Sequence, residues 1–265
     1  MTEPITEAPT DVPVEVSRWA CVVRADNSTV MTLDGTNTWI LRAPGGGRAV
    51  VVDPGPDDPV HLDVVLARAG AVALVLYTHW HPDHTDAIDV MAARTGAPAR
   101  AREAAWCRDA EPLADGEVIE VDGLRIEVVF TPGHTADSVC LLVEDDAALL
   151  TGDTILGRGT TIIAHPDGAL GPYLDSLERI AALIGAGRVA RLYPAHGPVL
   201  DEAGAAVDFY RRHRLERLDQ VRAAVAAGAS TAAEVVERVY AAVDRSLWPA
   251  AERSVEAQLA YLAGQ

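Results

Sequence analysis

Short apolar runs alternate with turn-forming residues along the first three quarters of the chain. Residues 39–41 and 49–52 are rich in β-branched and aromatic side chains, which predicts two strands. The glycine-rich segment 43–47 between them predicts a hairpin turn, because it lacks the lysine and the following helix of a phosphate-binding loop. Apolar residues at helical spacing predict a helix over 59–69, and a short buried strand follows over 73–77. Further strands are predicted at 118–119, 124–130, 139–143, 147–150 and 191–193, and further helices at 85–95 and 173–184.

The pattern changes after Leu200, where helical spacing replaces the alternation of strands and turns. The helices predicted there span 202–227, 231–243 and 249–262. Thr231 with Glu234 three residues later is a capping-box start for the second of them. The predicted divisions of the chain are a flexible acidic tail at 1–17, an α/β domain at 18–200 and a helical domain at 201–265.

The composition indicates a globular protein with one sizeable core, because 49% of the 265 residues are hydrophobic. The formal net charge of −17 repels polyanions over most of the surface, so nucleic-acid binding requires a local cluster of arginines. All 22 basic residues are arginines, and chemistry that depends on a lysine is therefore excluded.

The cysteines Cys21, Cys107 and Cys140 are odd in number and widely spaced, which indicates no disulfide framework and a reducing compartment. Residues 1–16 contain neither an arginine nor an apolar run, unlike a secretory signal or a mitochondrial transit peptide. No stretch has the length needed to span a bilayer. The predicted location is the cytoplasm without membrane attachment, and the state is either a monomer or a homodimer.

A dense group of metal-binding side chains follows the predicted strand at 73–77. His79, His81, Asp83 and His84 fall within six residues of a loop. Imidazole and carboxylate groups at this density compete for space and solvation, but they are what a divalent transition metal needs. Two imidazoles separated by one residue can converge on one ion, while Asp83 and His84 turn toward a second ion beside it.

Three further candidate ligands, His134, Asp153 and His196, each stand in a turn directly after a predicted strand. Each of them taken alone is equally consistent with an ordinary turn. Together with the first cluster they complete a dinuclear site.

These residues resemble the metallo-β-lactamase superfamily, whose HxHxDH pattern is intact at 79–84 and is followed by the later His, Asp and His in the expected order. The resemblance covers about 18–200 and implies an αββα sandwich with two metal ions at one edge. It implies one ion held by His79, His81 and His134, and a second held by Asp83, His84 and His196. It further implies that Asp153 bridges both ions.

The chemistry implied by this resemblance is hydrolysis by a hydroxide that bridges two divalent ions, which depress the pKa of the bridging water. The expected cofactor is two Zn²⁺ per chain, with Mn²⁺ or Fe also compatible. Asp83 is the expected catalytic group, since it lies where it can orient the hydroxide. Asp53 resembles the family carboxylate that orients a ligand histidine, with a cap of the turn 53–55 as the alternative.

The superfamily hosts several hydrolytic chemistries, so the fold alone does not give the substrate. True β-lactamases lack a bridging aspartate at the position of Asp153, which disfavours β-lactam hydrolysis. Glyoxalase II enzymes use this aspartate, but they also use basic side chains that include lysine to hold glutathione. Flavodiiron proteins need a glutamate in the first motif, and it is absent here.

A closer resemblance is carried by the segments 35–39, 151–161, 173–177, 193–198 and 208–216. These segments resemble the beta-lactamase-like protein 2 group, in which the helical tail resembles a winged helix and an animal member is a single-strand endoribonuclease. The chain stops at Gly264-Gln265 without the β-hairpin wing, so we expect a winged-helix-like domain that lacks a wing.

The first substrate class that follows is single-stranded RNA. The alternative is a small-molecule thioester or ester of the glyoxalase II type, and a lactone is less favoured than either. A non-enzymatic interaction module is disfavoured because all seven ligands are present. His61 and His213 are predicted to be solvated surface residues, and arginines 211–217 either hold phosphates or pair with neighbouring acids. The candidate substrate contacts are Asn37, Thr160, Thr161, His165, Arg212 and Arg214.

Overall fold

Two β-sheets form the centre of the computed structural model, which describes residues 9–264. In the first sheet the spatial order is β1 (Val14–Glu15), β2 (Ala20–Arg24), β3 (Asn37–Leu41), β4 (Ala49–Val52), β5 (Val72–Leu76) and β6 (Ala99–Arg100). In the second sheet it is β11 (Arg191–Pro194), β10 (Ala148–Gly152), β9 (Val139–Val143), β8 (Leu124–Phe130) and β7 (Val118–Val121). Neighbours β1 to β4 and β7 to β10 are antiparallel, whereas β4–β5, β5–β6 and β10–β11 are parallel.

The sheets pack face to face, and helices cover both outer faces. Trp39 and Leu41 from the first sheet meet Ile126 and Leu141 from the second in one buried cluster. The outer cluster of the first sheet includes Leu62 of a helix. The helices of the sandwich are α1 (Pro59–Ala69), α2 (Pro82–Thr85), α3 (Ile88–Thr95) and α4 (Leu170–Gly185). The αββα architecture expected from the sequence is confirmed.

The hydrophobic pattern located most elements within one or two residues. The predictions for α1, β4, β8 and β9 have the observed bounds. The predicted helix at 85–95 begins at Ile88, because residues 82–85 form the separate short helix α2. The segment 43–47 joins two antiparallel strands, as a hairpin turn requires.

The N-terminal segment corrects the predicted flexible tail over the residues that the structure describes. Val14–Glu15 pairs with β2, the Asp11 amide donates to the Arg24 carbonyl at 2.8 Å, and Val16 is buried. Residues 9–17 therefore pack against the first sheet, and residues 1–8 of the predicted tail lie outside the described residues.

The C-terminal region consists of α5 (Ala203–Ala226), α6 (Ala232–Val239) and α7 (Trp248–Ala263), with no strand in the described part, 201–264. The predicted capping box of α6 is confirmed, with Thr231 and Glu234 bonded reciprocally. The first half of α5 packs on the second sheet through Val207 and Tyr210, while its second half joins the core of α6 and α7. The domain boundary near Leu200 stays a prediction. Within the described residues, no helix has the length and apolar character to cross a membrane.

Candidate metal centre

The seven expected ligands lie at one edge of the sandwich, where strands of both sheets end. The segment 79–84 follows β5, His134 follows β8, Asp153 follows β10 and His196 follows β11. Each strand has buried residues, and each ligand stands in the turn or in the short helix α2 beyond it, so the sheets hold these segments in place. The structure thereby brings together side chains that are far apart in the sequence.

The ligand atoms form two adjoining groups, and within each group all of them lie within 4.8 Å of one another. One group consists of His79, His81, His134 and Asp153, and the other of Asp83, His84 and His196. In the first group, Nδ1 of His81 lies 2.9 Å from Nε2 of His79 and 3.1 Å from Nε2 of His134. In the second group, Oδ2 of Asp83 lies 3.2 Å from Nε2 of His196 and 3.4 Å from Nε2 of His84.

Asp153 stands between the two groups. Its Oδ2 lies 3.6 Å from Nε2 of His134, and its Oδ1 lies 3.3 Å from Nε2 of His196 and 3.7 Å from Nε2 of His84. One carboxylate oxygen therefore faces each group. This is the arrangement that a bridging ligand needs.

Two of the imidazoles are bonded to a backbone carbonyl on the side away from the cluster. Nδ1 of His134 donates to the Ile162 carbonyl at 2.7 Å, and Nδ1 of His196 donates to the Gly35 carbonyl at 3.2 Å. A proton on Nδ1 leaves Nε2 of a neutral imidazole as the free donor atom for a metal.

Asp53 plays the central part in orienting His84. Its Oδ2 accepts from Nδ1 of His84 at 2.9 Å and from the Thr78 hydroxyl at 2.6 Å, while its Oδ1 accepts from the Thr78 amide at 2.8 Å. The Thr78 hydroxyl uses its one proton in the hydrogen bond to Asp53. It therefore accepts a hydrogen bond from Nδ1 of His79, 3.1 Å away. One buried carboxylate thus holds His84 directly and His79 through Thr78.

The burial of the cluster tests whether a metal fits. Nε2 of His84, Nε2 of His196 and Oδ1 of Asp153 are buried, and no group of the described chain hydrogen bonds to them. Buried polar atoms without a partner are costly, and these three point at one another across the space between the two groups. Imidazole and carboxylate donors together suit a divalent transition metal. The residues present fit metal ions in this place.

Electrostatics divides the histidines into two kinds. Burial lowers the pKa of His79 and His134, and it lowers the pKa of His81 to about 4, so these three rings are neutral as metal ligation requires. Burial alone also lowers the pKa of His84 and His196. The negative charge of nearby carboxylates outweighs burial at these two residues. Asp83 raises the pKa of His84, and Asp153 raises the pKa of His196 to about 9.

Three of the predicted substrate contacts have internal partners instead. The side-chain amide of Asn37 donates to the carbonyls of Pro194 and Gly197, and so fixes the turn that carries His196. The Thr161 hydroxyl is buried 3.0 Å from Nδ1 of His134. Arg214 is 8% exposed, donates to the Thr161 carbonyl and lies over the Tyr173 ring. These contacts hold the protein together, and substrate contact by the three residues stays a prediction.

The other predicted contacts lie further out. Arg212 and His165 are exposed, and Thr160 is half-buried with its hydroxyl 3.4 Å from Nε2 of His213. His213 is half-buried rather than solvated. The prediction that His61 is solvated is also wrong, since its side chain is fully buried.

A cleft of about 250 Å³ adjoins the cluster and was not predicted from the sequence. Thr161 and Ile162 form one wall, and both contact Nδ1 of His134 on their other side. The opposite wall comes from three helical elements of the C-terminal region, so no local pattern marks it. The remaining lining residues are Val30, Thr160, His213, Arg214, Arg217, Tyr240, Val243, Leu247, Ala250, Ala251 and Ser254.

Comparison with known proteins agrees with this geometry. The family model of the metallo-beta-lactamase superfamily matches residues 31–196, and that of the beta-lactamase associated winged helix domain matches residues 231–265. A beta-lactamase-like protein 2 homolog of Drosophila melanogaster is 32% identical over 89% of this chain and 85% of that protein. The lactamase-like protein vrtG of Penicillium aethiopicum is 32% identical over 87% of this chain and 74% of that protein. A metallo-beta-lactamase family protein from Thermus thermophilus has a similar fold, with a TM-score of 0.78 and 21% identity over 94% of this chain and 95% of that chain.

Proposed function

Because the chain belongs to the metallo-β-lactamase superfamily, we propose that it is a metal-dependent hydrolase with its reaction centre at the two adjoining ligand groups. The observation that carries this proposal is the position of Asp153, with one oxygen facing each group, together with the buried ligand atoms that lack a partner. A structural role does not account for buried polar atoms left unbonded.

We assign His79, His81 and His134 to one ion, Asp83, His84 and His196 to the other, and Asp153 to both. Two Zn²⁺ ions are the expected occupants, with Mn²⁺ or Fe also compatible with the carboxylates. When bound, such ions supply a nucleophile at neutral pH and polarise the oxygen of the scissile group.

Asp83 is the group of this chain that we place in the reaction. Burial alone raises its pKa, but His84 and His196 beside it hold the pKa well below its usual range, so its carboxylate is an acceptor. The side chain is 26% exposed, compared with 11% for Asp153. Oδ2 faces the two histidines. The carboxylate therefore reaches solvent and is placed to orient an attacking water by accepting a hydrogen bond from it.

For the substrate, we propose a small-molecule acyl thioester or ester that places its apolar part in the cleft beside His134. The wall of the cleft includes Val243, Leu247 and Ala250, and its volume of about 250 Å³ suits a small molecule. Arg217 and His213 also line it.

Single-stranded RNA is the second candidate, and the match to beta-lactamase-like protein 2 homologs through the helical region favours it. The arginines weaken the case. Arg214 is buried against Tyr173, Arg211 pairs with Glu178, and Arg217 donates to the Val239 carbonyl. A polyanion also meets a net charge of −17. We therefore rank RNA below the acyl substrate.

The test compares kcat/KM of the zinc-loaded protein on an N-acetylcysteamine thioester of an apolar acyl chain and on a short unstructured RNA. We expect thioester hydrolysis and no metal-dependent RNA cleavage. Asp83→Ala should lower kcat by about 10³-fold or more while the fold survives. Asp86→Ala is the matched control, since Asp86 is exposed on the same loop, and it should stay within about twofold of the wild type.

Two results would contradict these proposals separately. A metal content near zero after reconstitution with zinc would overturn the metal assignment. RNA cleavage that depends on metal and falls steeply with added salt, with no thioester hydrolysis, would show that the substrate is single-stranded RNA and not an acyl compound.

A further inference from the structure

His61 lies in α1 outside the ligand set, yet its side chain is fully buried and bonded at both ring nitrogens. Nδ1 lies 2.9 Å from Oδ1 of Asp11, and Nε2 lies 2.8 Å from the Thr38 hydroxyl. Asp11 belongs to the segment that packs beside β2, with its amide bonded to the Arg24 carbonyl. A histidine thus joins the N-terminal segment to the third strand of the first sheet.

The direction of each hydrogen bond follows from the number of protons. The Thr38 hydroxyl donates its one proton to the Asp53 carbonyl, 2.8 Å away. It therefore accepts from His61, and Nε2 of His61 carries a proton. On the other side of the ring, a second proton lies between Nδ1 and the Asp11 carboxylate. Burial lowers the pKa of His61, and Asp11 opposes that change.

The far end of this chain of hydrogen bonds is the residue that orients His84. Asp53 has φ 48°, a left-handed conformation that costs energy for a residue other than glycine. Its amide donates to the Leu76 carbonyl at 2.9 Å, and its carbonyl accepts from Thr38. Contacts on both sides of the residue therefore hold the strained conformation, and with it the direction of the carboxylate.

We propose that His61, held by Asp11, is a positioning residue for the ligand group of Asp83, His84 and His196. It fixes Thr38 on the Asp53 carbonyl, so that Asp53 keeps His84 directed at the metal position. The proposal rests on the proposed function, because it concerns the ion assigned to that group. His134 is held by the Ile162 carbonyl, and His79 reaches Asp53 only indirectly, through Thr78, so the ion assigned to His79, His81 and His134 should depend less on His61.

The experiment titrates metal-free full-length protein with Co²⁺ and follows the visible absorption of each bound equivalent. His61→Leu removes both hydrogen bonds, and we expect it to weaken one of the two equivalents by about 10- to 100-fold and to change the spectrum of that equivalent more than the spectrum of the other. His61→Gln restores a donor in the place of Nε2 and should recover most of the affinity. Val60→Ala, at the exposed neighbouring position on the same helix, is the control and should bind both equivalents as the wild type does.

Unfolding of each metal-free variant by urea separates positioning from stability. If His61→Leu does not fold, Asp11→Asn replaces it in the titration, since this change removes the carboxylate from the ring at nearly constant shape. We then expect a several-fold weakening of the same equivalent. Folded variants that bind both equivalents with wild-type affinity and spectrum would overturn the role of His61. Wild-type protein that binds no Co²⁺ would instead overturn the proposed function.

Discussion

Asp137 is a buried carboxyl group three residues after His134. Its side chain is 3% exposed, Oδ1 accepts from the Thr135 hydroxyl at 2.7 Å, and Oδ2 has no partner among the described residues. Burial raises the pKa of Asp137 to about 6, and the negative charge of Asp167 acts in the same direction. The folded protein therefore holds this proton more tightly than the unfolded chain does.

This pKa shift predicts that the free energy of unfolding of the metal-free protein depends on pH. Because the folded pKa of about 6 exceeds the ordinary value of 3.8, the stabilising contribution is complete below the ordinary value and is lost as the pH rises through 6. Asp137→Asn has no carboxyl proton to lose. We expect the variant to gain stability relative to the wild type between pH 4 and 7, on the order of 2 kcal/mol. Urea unfolding across this range measures the difference, and a difference that does not change with pH would contradict the expectation.

The cluster of candidate ligands could be singled out from the sequence because it carries a local pattern, with metal-binding side chains placed directly after apolar runs. His61 and Arg214 could not, since the burial of a polar side chain depends on partners brought from elsewhere in the chain. Asp11 lies 50 residues before His61, and the Tyr173 ring under Arg214 belongs to another helix. The sequence around either residue looks like an ordinary charged helix surface.

At the scale of elements, the turn that carries His134 touches helix α4 backbone to backbone. Gly133 has φ 141°, and a Cβ placed there would lie 2.3 Å from Cα of Tyr173 and 2.4 Å from its Cβ. The Tyr173 hydroxyl in turn donates to the Thr154 carbonyl at 2.6 Å, next to Asp153. One helix start thus supports two of the turns that carry ligands.

Gly133→Ala should separate this turn from α4 and destabilise the protein by about 2 to 4 kcal/mol, through the clash and the unfavourable φ. Gly185→Ala tests the opposite end of the same helix, where a Cβ meets open space. There the change should stabilise by up to about 1 kcal/mol, since alanine is the better helix former. Thermal and urea unfolding measure both variants. A Gly133→Ala protein as stable as the wild type would show that the close approach is not needed.

Elements with a clear period were predictable and short ones were not. β8 and β9 were located at both ends because their apolar runs are bounded by turn residues. β1 and β6 have two residues each, which is too short to show any alternation. Their places in the sheet depend on the neighbouring strands, so only the assembled fold reveals them.

At the scale of the whole molecule, the C-terminal helices and the sandwich share the region around the metal centre. α5 begins in the outer core of the second sheet and ends in the core of the helical region. From α5, Arg214 donates to the Thr161 carbonyl, and the Thr161 hydroxyl lies against the His134 ring. The helical region is thereby linked to a proposed ligand as well as to the cleft.

The candidate metal centre joins turns from both sheets, so we expect removal of bound metal to destabilise the whole sandwich. Ions that bind the folded protein and not the unfolded chain add stability by mass action, about 4 kcal/mol when the free metal is 1,000 times its Kd. For a chain of this size we expect chelation to lower Tm by roughly 10 °C. Scanning calorimetry before and after chelation measures the change.

Hydrogen exchange should locate the same effect. After chelation, backbone amides should lose protection from exchange in the turns that carry the proposed ligands or contact them, at 79–84, 131–138, 153–163 and 194–198. Amides in the core that α6 and α7 share should keep their protection. Added Zn²⁺ should restore both Tm and protection, whereas Ca²⁺ should restore neither, because it prefers oxygen donors and the cluster is rich in imidazole. Equal recovery of Tm and protection with either ion would mean that the histidines are not ligands. If chelation changes neither quantity in protein shown to contain metal, the turns hold their positions without the metal.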